Sequence, residues 1–519
     1  MNRRELALAI AAGAATASSA ARAAPYVPGG VGAQAEAFYA GFNDQLASFP
    51  EAQREDMRRL YELNGWRPLW TPELQRTLAT AVGQAPRHGL SPRQHLDMTL
   101  ISGDPSKSDM RLSAAALAYA RVLSQGSVQP QSVEDLWELQ RNTEDLPAGL
   151  YAAVGANRVV DWLEGLAPQD LGYRNLSAGY IRYRRLVENG GWPAFRAGQV
   201  IRPGMADARL GAIKARLVAE GDLTADEAAA ISDAVYGPGL QAGVRKFQIR
   251  HGLGADGVVG QGTQAALTAK AEDRARQIAL NLERRRWLER ELAPERIEVN
   301  TAACIMVYWK DGSPVHSNRV VCGSPQNQTP SLEKSFASVV ANPPWYVPAG
   351  IARNEILPRG PGYLAANNMF IQNGTVVQRA GPTAALGYVK FELRDSYAIF
   401  LHDTPAKAAF RLAYRNRSHG CVRVENAVDF ARMLLTPDPA KLAEFDAAQS
   451  SRQTKRITTG REIKVRLLYW TAFVTGSGAV AFREDVYRRD ARLADALGIA
   501  VSLPRAVDDG RADPADVGP

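Results

Sequence analysis

The spacing of apolar residues changes once along this chain of 519 residues, and that change decides what it can fold into. From residue 33 to about 200, "AEAFYAGFNDQLASF", "DMRRLYEL", "AALAYARVLSQG", "ANRVVDWLEGL" and "LSAGYIRYRRLVEN" repeat apolar residues every three or four positions, which predicts helices. After about residue 290 the pattern becomes strand-like in "RIEVNTAACIMVYWKDG", "VHSNRVVCG", "YAIFLHD", "CVRV" and "REIKVRLLYWTAFV". The fold class is therefore multidomain α+β, a helical part followed by a mainly-β part, and the length suits three to four domains. A net charge of +8 fits work beside an anionic polymer or surface. No nucleic-acid signature accompanies it, and no later apolar run is long enough to span a membrane.

The division runs as follows. Residues 1–23 carry Arg3 and Arg4, an Ala/Leu run and Ala21-Arg22-Ala23, the pattern of an export signal cut before Ala24, with a loose twin-arginine likeness. Residues 33–200 read as a helical scaffold in which Tyr61, Trp66 and Trp70 belong to the core. In 204–270, Leu240, Val244 and Phe247 form one helical face and Ala265, Ala266 and Leu267 begin another. Between them Asp256-Gly257 and Gly260 call for turn geometry, and Thr263 is placed to cap the last helix. "RARQIALNLERRRWLERE" reads as a charged helical linker into a mainly-β domain over 276–480. Its Gly/Pro/Asn-rich stretch 349–395 is a candidate lid. A closing helix is expected over 482–498 and a disordered tail over 500–519.

Of the three cysteines, an odd number for an exported chain, Cys304 and Cys322 lie in apolar runs and read as buried small hydrophobes or a disulfide. Cys421 lies instead in "RNRSHGCVRVENA", among polar and cationic neighbours. A cysteine nucleophile needs a base within reach and donors for the oxyanion formed on attack. Of six histidines, His316, His402 and His419 share its domain, and His402 ends the strand-like "YAIFLHD". Amides around His419, Gly420 and Cys421 could form an oxyanion hole, and Asn426 could cap the helix that follows. His402, His419 and Cys421 could also make three zinc ligands. With Gly420 between two of them on a tight turn and no H-E-x-x-H motif, the reading is no metal and no cofactor.

Two resemblances sit on these residues. The pattern D-G-x-x-G-x-x-T after V-x-x-F-Q resembles the small three-helix peptidoglycan-binding domain, whose loop would be Asp256, Gly257, Gly260 and Thr263. H-x(15)-S-H-G-C followed by V-R-V resembles the L,D-transpeptidase signature, in its long, scaffold-bearing Gram-negative branch. "NGWRPLW", "NPPWYVP", "LGYVKFEL", "LHDTP" and "YWTAFVTGSGAVAFREDVY" agree, whereas "AGPTAALG" has Ala384 where that branch usually carries Asn. The resemblance implies Cys421 as nucleophile, His402 as general base, His419 and Gly420 in the oxyanion loop and Ser418 steadying it. It implies Arg423 and Arg415 as holders of stem carboxylates, with Trp345 lining the cleft; Arg417 reads as solvated surface.

The implied reaction is acyl transfer on peptidoglycan stems in the periplasm. Cys421 attacks the residue-3 carbonyl of a tetrapeptide, D-alanine leaves, and a stem amine, water or an envelope-protein amine takes the acyl group. The rivals are a catalytically dead wall-binding scaffold and a hydrolase using the same nucleophile. Neither nucleic acid nor a transmembrane anchor is among the implied partners.

Overall fold

The computed structural model describes residues 33–97, 104–394 and 399–502. The expected signal at 1–23 and nearly all of the tail lie outside them. Among the described residues no helix is long and apolar enough to cross a membrane.

The scaffold helices form where the three-and-four spacing places them: α1 (Ala33–Leu46), α2 (Glu51–Leu63), α3 (Pro72–Gly83), α4 (Pro105–Gln125), α5 (Leu146–Gly155), α6 (Val159–Leu166) and α7 (Leu171–Glu188). Proline in the first turn and Asp or Thr side chains on the first amides start several of them, as Asp104, Asp145 and Thr71 do. Tyr61, Trp66 and Trp70 are buried in their common core. Asp109 organises the turn around Trp70: it accepts from the Tyr61 hydroxyl (2.6 Å) and from the amides of Leu69 and Trp70 (2.8 Å each).

The next unit has helices α8 (Leu210–Glu220), the five-residue α9 (Ala225–Ala229), α10 (Pro238–Arg250) and α11 (Gln261–Thr268) around Ile213, Leu217, Leu240, Val244 and Phe247. Thr263 does not cap α11. Gly260 holds the N-cap position, and Thr263 lies inside the helix with its hydroxyl turned to the Val258 carbonyl (3.3 Å).

Helix α12 (Ala271–Arg286) departs from the expected linker. Its charged residues Asp273, Arg274, Glu283, Arg284 and Arg286 are buried, so the helix is a spine between the scaffold and the β domain. Arg286 donates to Glu283 (2.6 Å) and to the His88 carbonyl (2.6 Å). Arg284 pairs with Asp490 and lies 3.5 Å from Glu134, a scaffold carboxylate that also meets Arg489 at 3.0 Å. Arg284 and Arg286 are thus buried with opposite charges at hand, whereas Arg274 donates to Gln277 (2.8 Å) and lies over the Phe482 ring.

The β domain is built on one long sheet that closes on itself. Its strands are β2 (Arg296–Asn300), β3 (Ile305–Lys310), β4 (Ser313–Gly323), β5 (Ser331–Ala341), β9 (Val389–Leu393), β10 (Leu401–His402), β12 (Val422–Val424) and β14 (Lys464–Leu468), in the order β5-β14-β2-β3-β4-β12-β10-β9, with β9 pairing back to β5. Ile297, Met306, Val320, Val339, Phe391 and Val422 fill the interior, and Phe430 of the helix Ala427–Leu435 plugs it. Asn426 precedes that helix in the left-handed region (φ 50°) with no side-chain cap, so the capping expected of it is not made. Two attachments were not legible in the sequence. A scaffold strand β1 (Trp137–Glu138) runs parallel on β5. The hairpin β15–β16 (Ala472–Val474, Val480–Phe482) packs into the scaffold core, with Phe482 edge-on to Tyr183 at 5.5 Å. The closing helix is correspondingly shorter than 482–498, spanning Arg489–Ala496.

Where scaffold, α8 and hairpin meet, Glu220 is buried and takes charge from Arg216 (2.7 Å) and Arg250 (3.0 Å), with the Tyr183 hydroxyl donating at 2.7 Å. Burial alone would raise its carboxyl, but the two guanidiniums hold it well below the usual range. A depressed carboxylate contributes stability at pH values above its unfolded pKa and loses it as pH falls through the folded one. Glu220→Ala should cost about 3–5 kcal/mol by taking the paired carboxylate from buried Arg216, while Arg250 keeps Asp222 at 2.6 Å. Chemical denaturation at pH 7 measures this, and the difference from wild type should shrink below about pH 4.

Candidate active site

Cys421 is positioned by a strand pairing. β10 and β12 run parallel, with Leu401 opposite Val422 and His402 opposite Arg423, and the Val422 amide donates to the Phe400 carbonyl at 3.1 Å. Side chains alternate along a strand, so Cys421 and Arg423 turn to the same face, the one His402 occupies on the neighbouring strand. On the other flank of β10, Lys390 of β9 is the register partner of His402. A cation thus stands on either side of the imidazole, and His402, Arg423 and Cys421 are all buried.

The tautomer of His402 follows from its contact. Nδ1 lies against the Asp403 carbonyl, which can only accept, so Nδ1 carries the proton and Nε2 is the basic nitrogen. Asp403 is itself fixed by the Tyr388 amide (2.9 Å) and by Lys407.

The turn before Cys421 is stapled. Ser418 Oγ donates to the Cys421 carbonyl at 2.6 Å and accepts from the Gly420 amide at 3.2 Å. Gly420 has φ +116°, a backbone conformation that L side chains rarely adopt. Its amide is taken up by Ser418 in this arrangement, so the oxyanion donor expected there is already engaged. The Gly420 carbonyl accepts from Thr329 Oγ1 (2.9 Å), which in turn accepts from the Gly323 amide (2.8 Å). Tyr487 donates to the Gly323 carbonyl at 2.7 Å. Thr329 and Tyr487, both buried, are supports the sequence did not reveal.

Cys304 and Cys322 are unbonded thiols buried below this turn, the apolar alternative of the two expected, and Cys304 contacts Asn416 Oδ1 at 3.4 Å. His419 reaches the other way, Nε2 to Glu355 Oε1 at 2.9 Å, tying the turn to the segment above it.

Two expected substrate contacts go elsewhere. Arg415 spends its guanidinium on the carbonyls of Val320, Leu412, Ala303 and Cys304 at 2.8 to 3.3 Å, which bolts β3 and β4 together. Trp345 is 1% exposed and packs with Val347, Ile356, Met369, Val376 and Leu386, inside a subdomain rather than along a cleft. Arg423 remains beside the site.

Burial pushes the Cys421 thiol up to about 11, with the Phe400 backbone contact, Lys390 and Arg423 pulling only partly the other way. The resting group is therefore a thiol at neutral pH, and attack requires a base. Alkylation of the native protein should be slow at pH 7. It should keep rising about tenfold per pH unit past pH 9, where an ordinary cysteine of pKa about 8.5 has levelled off. Iodoacetamide labelling followed by peptide mapping across pH 7–11 checks this.

In the 204–270 unit, Gln248 is the hub of the loop. Its amide group donates to Asp256 Oδ1 (2.9 Å) and Thr263 Oγ1 (3.1 Å), and its carbonyl accepts from the Gly257 amide (2.8 Å). Gly257 has φ +73°, and a Cβ there would lie 2.6 Å from Gln241 Cγ, so only glycine fits.

Comparison with known proteins places three family models along the chain in one order: "Scaffold domain" over 55–179, "Putative peptidoglycan binding domain" over 207–267, and "L,D-transpeptidase catalytic domain" over 294–444, the last enclosing every strand around Cys421. The chain has the architecture of a long L,D-transpeptidase. A curated Haemophilus influenzae protein named "Putative L,D-transpeptidase" is 28% identical over 252 residues, which are 44% of this chain and 50% of that one. The chain thus spans about half the length of the curated relative it matches. Among solved structures, an L,D-transpeptidase from Xylanimonas cellulosilytica (residues 123–326) is 20% identical, covering 52% of this chain and 98% of that one with a TM-score of 0.19. A mutant L,D-transpeptidase of Enterococcus faecium is 12% identical, covering 34% and 50% with a TM-score of 0.17.

Within this L,D-transpeptidase architecture, the stretch between β5 and β9 is a built subdomain. It comprises β6 (Trp345–Tyr346), β7 (Met369–Gln372) and β8 (Thr375–Gln378) in the order β6-β8-β7, with short helical turns over 349–366. β9 belongs to the main sheet, so the subdomain ends before 389, earlier than the 349–395 stretch suggested. Ala384 is 2% exposed and sits in the turn that leads back to Gly387.

Proposed function

We propose that the chain is a peptidoglycan L,D-transpeptidase that uses Cys421 as nucleophile. The observation that carries the reading is the parallel pairing of β10 with β12, which brings His402 and Cys421 onto one buried face within a region matching the L,D-transpeptidase catalytic domain. His402 Nε2 takes the thiol proton as sulfur attacks the residue-3 carbonyl of a donor tetrapeptide stem. The C–S bond forms, the C–N bond breaks, and the proton passes to the departing D-alanine amine. The thioester is then opened by an acceptor amine, whose proton returns to His402. The amides of His419 and Cys421 stabilise the oxyanion, while Ser418, which holds the Gly420 amide, and Thr329 keep that turn from relaxing. Lys390 and Arg423 supply positive charge for the thiolate and for stem carboxylates.

The 204–270 unit, through the Asp256–Thr263 loop, would hold the enzyme on its polymer and raise the local concentration of stems. The subdomain over the site, joined to it by His419 and Glu355, would limit water while the thioester waits. The export pattern at 1–23 would deliver the protein to the periplasm, where such a polymer lies.

Incubating the protein with a disaccharide tetrapeptide and separating products by mass tests the reading. D-Alanine release with a tetrapeptide–tripeptide 3→3 dimer is expected. Tripeptide alone, with acceptor in excess, would make the enzyme an L,D-carboxypeptidase, and transfer only to an envelope-protein amine would make it a tethering enzyme. No release at all would leave a wall-binding scaffold.

A further inference from the structure

A cavity of about 650 Å³ opens in the scaffold, on helical elements separate from the strands around Cys421. One wall is a stripe of α7: Arg174, Arg182 and Arg185 recur on one helical face above the apolar Ile181. Arg87 and His88 face the stripe, and Glu164 of α6 is the carboxylate that lines it. Four guanidiniums therefore meet one carboxylate around a space large enough for a ligand of several residues. Arg182 gives one N–H to the Ala219 carbonyl at 3.0 Å. Among the described residues Arg87, Arg174 and Arg185 have no carboxylate within ion-pair distance, and all three are exposed.

His88 supplies the second observation. It is 4% exposed, and its Nδ1 lies 3.0 Å from the Tyr173 hydroxyl. That hydroxyl also accepts from Arg286 at 3.2 Å, which fixes the Nδ1 side of the ring. Nε2 is buried, has no hydrogen-bond partner and lies 3.6 Å from Glu164, its ion-pair neighbour on the cavity wall. A ligand oxygen entering the cavity would give this nitrogen a hydrogen-bond partner.

We propose that this cavity binds a short peptide bearing at least two carboxylates, with the arginines taking the carboxylates, Ile181 taking apolar stem atoms and His88 Nε2 donating to a ligand oxygen. Identifying that peptide as a peptidoglycan stem rests on the proposed function; the anionic chemistry does not. A scaffold subsite of this kind would hold a neighbouring stem near the enzyme independently of the loop at Asp256–Thr263.

The test uses the full chain carrying Cys421→Ala, so that no donor is consumed, with ¹³C-labelled histidine. Titration with the disaccharide tetrapeptide should shift the His88 ring resonance saturably. The shift should require about tenfold or more ligand in Arg174→Gln/Arg185→Gln, whose exposed side chains leave the melting temperature unchanged, and likewise for a tetrapeptide with amidated carboxylates. Inorganic phosphate should bind more weakly. No His88 shift at millimolar tetrapeptide, an unchanged titration in the double variant, or phosphate binding as tightly as the peptide would each overturn the proposal. Acyl-enzyme formation by the wild-type protein reads the transpeptidase assignment separately, so the two can fail independently.

Discussion

Cys421→Ala should abolish turnover of a disaccharide tetrapeptide, a loss of about 10⁴-fold or more, while the protein remains folded. Among the described residues the neighbouring nucleophiles are otherwise placed: Cys304 and Cys322 are buried beneath the turn, and Ser418 is committed to the Cys421 carbonyl and the Gly420 amide. The structural cost is small, on the order of 1 kcal/mol, because one buried sulfur is removed and the turn is held by Ser418 and Thr329 rather than by the thiol. Denaturation with a midpoint lowered only slightly, alongside lost D-alanine release, is the expected pair of results. Retained release would remove Cys421 from the mechanism.

His402→Ala should lower the rate by about 10²–10⁴, or roughly 3–5.5 kcal/mol of barrier, the usual worth of a general base. The residual activity has a pH signature that an ordinary folding defect lacks. With the thiol at about 11, the variant depends on the small thiolate fraction, so its rate should climb about tenfold per pH unit toward that value. The wild type, with His402 Nε2 to take the proton, should not depend on that thiolate fraction and should climb less steeply over the same range. A His402→Ala variant with a flat profile and little loss would mean that another group removes the proton.

The family likeness was legible because its signature is local. The S-H-G-C run keeps the proposed nucleophile, the turn glycine and the stapling serine within four residues. His402 could be chosen because few histidines shared the domain and one ended a strand. What was not legible depended on register and on which surfaces meet. Lys390 sits in "LGYVKFEL", an ordinary alternating strand, and becomes part of the site only because β9 pairs with β10. Thr329 and Tyr487 lie 92 and 66 positions from Cys421 (421 − 329 and 487 − 421), and nothing in the stretches around them says that they meet the turn. Arg415 looked like a substrate contact because its charge stands near Cys421, yet its guanidinium is consumed by carbonyls of β4, the turn before β3 and the loop at Leu412. Helix α12 misled for the opposite reason: its charges suggested solvent, and the partners that let them be buried, such as Glu134 and Asp490, come from distant segments.

Intact-protein mass spectrometry of the wild-type chain, quenched with acid during turnover of the disaccharide tetrapeptide, tests the central claim most directly. A mass increase equal to the donor minus D-alanine, labile to hydroxylamine and mapping to the peptide that contains Cys421, is the result predicted for a thioester intermediate. Turnover without any covalent adduct, or an adduct mapping to a peptide lacking Cys421, would contradict it.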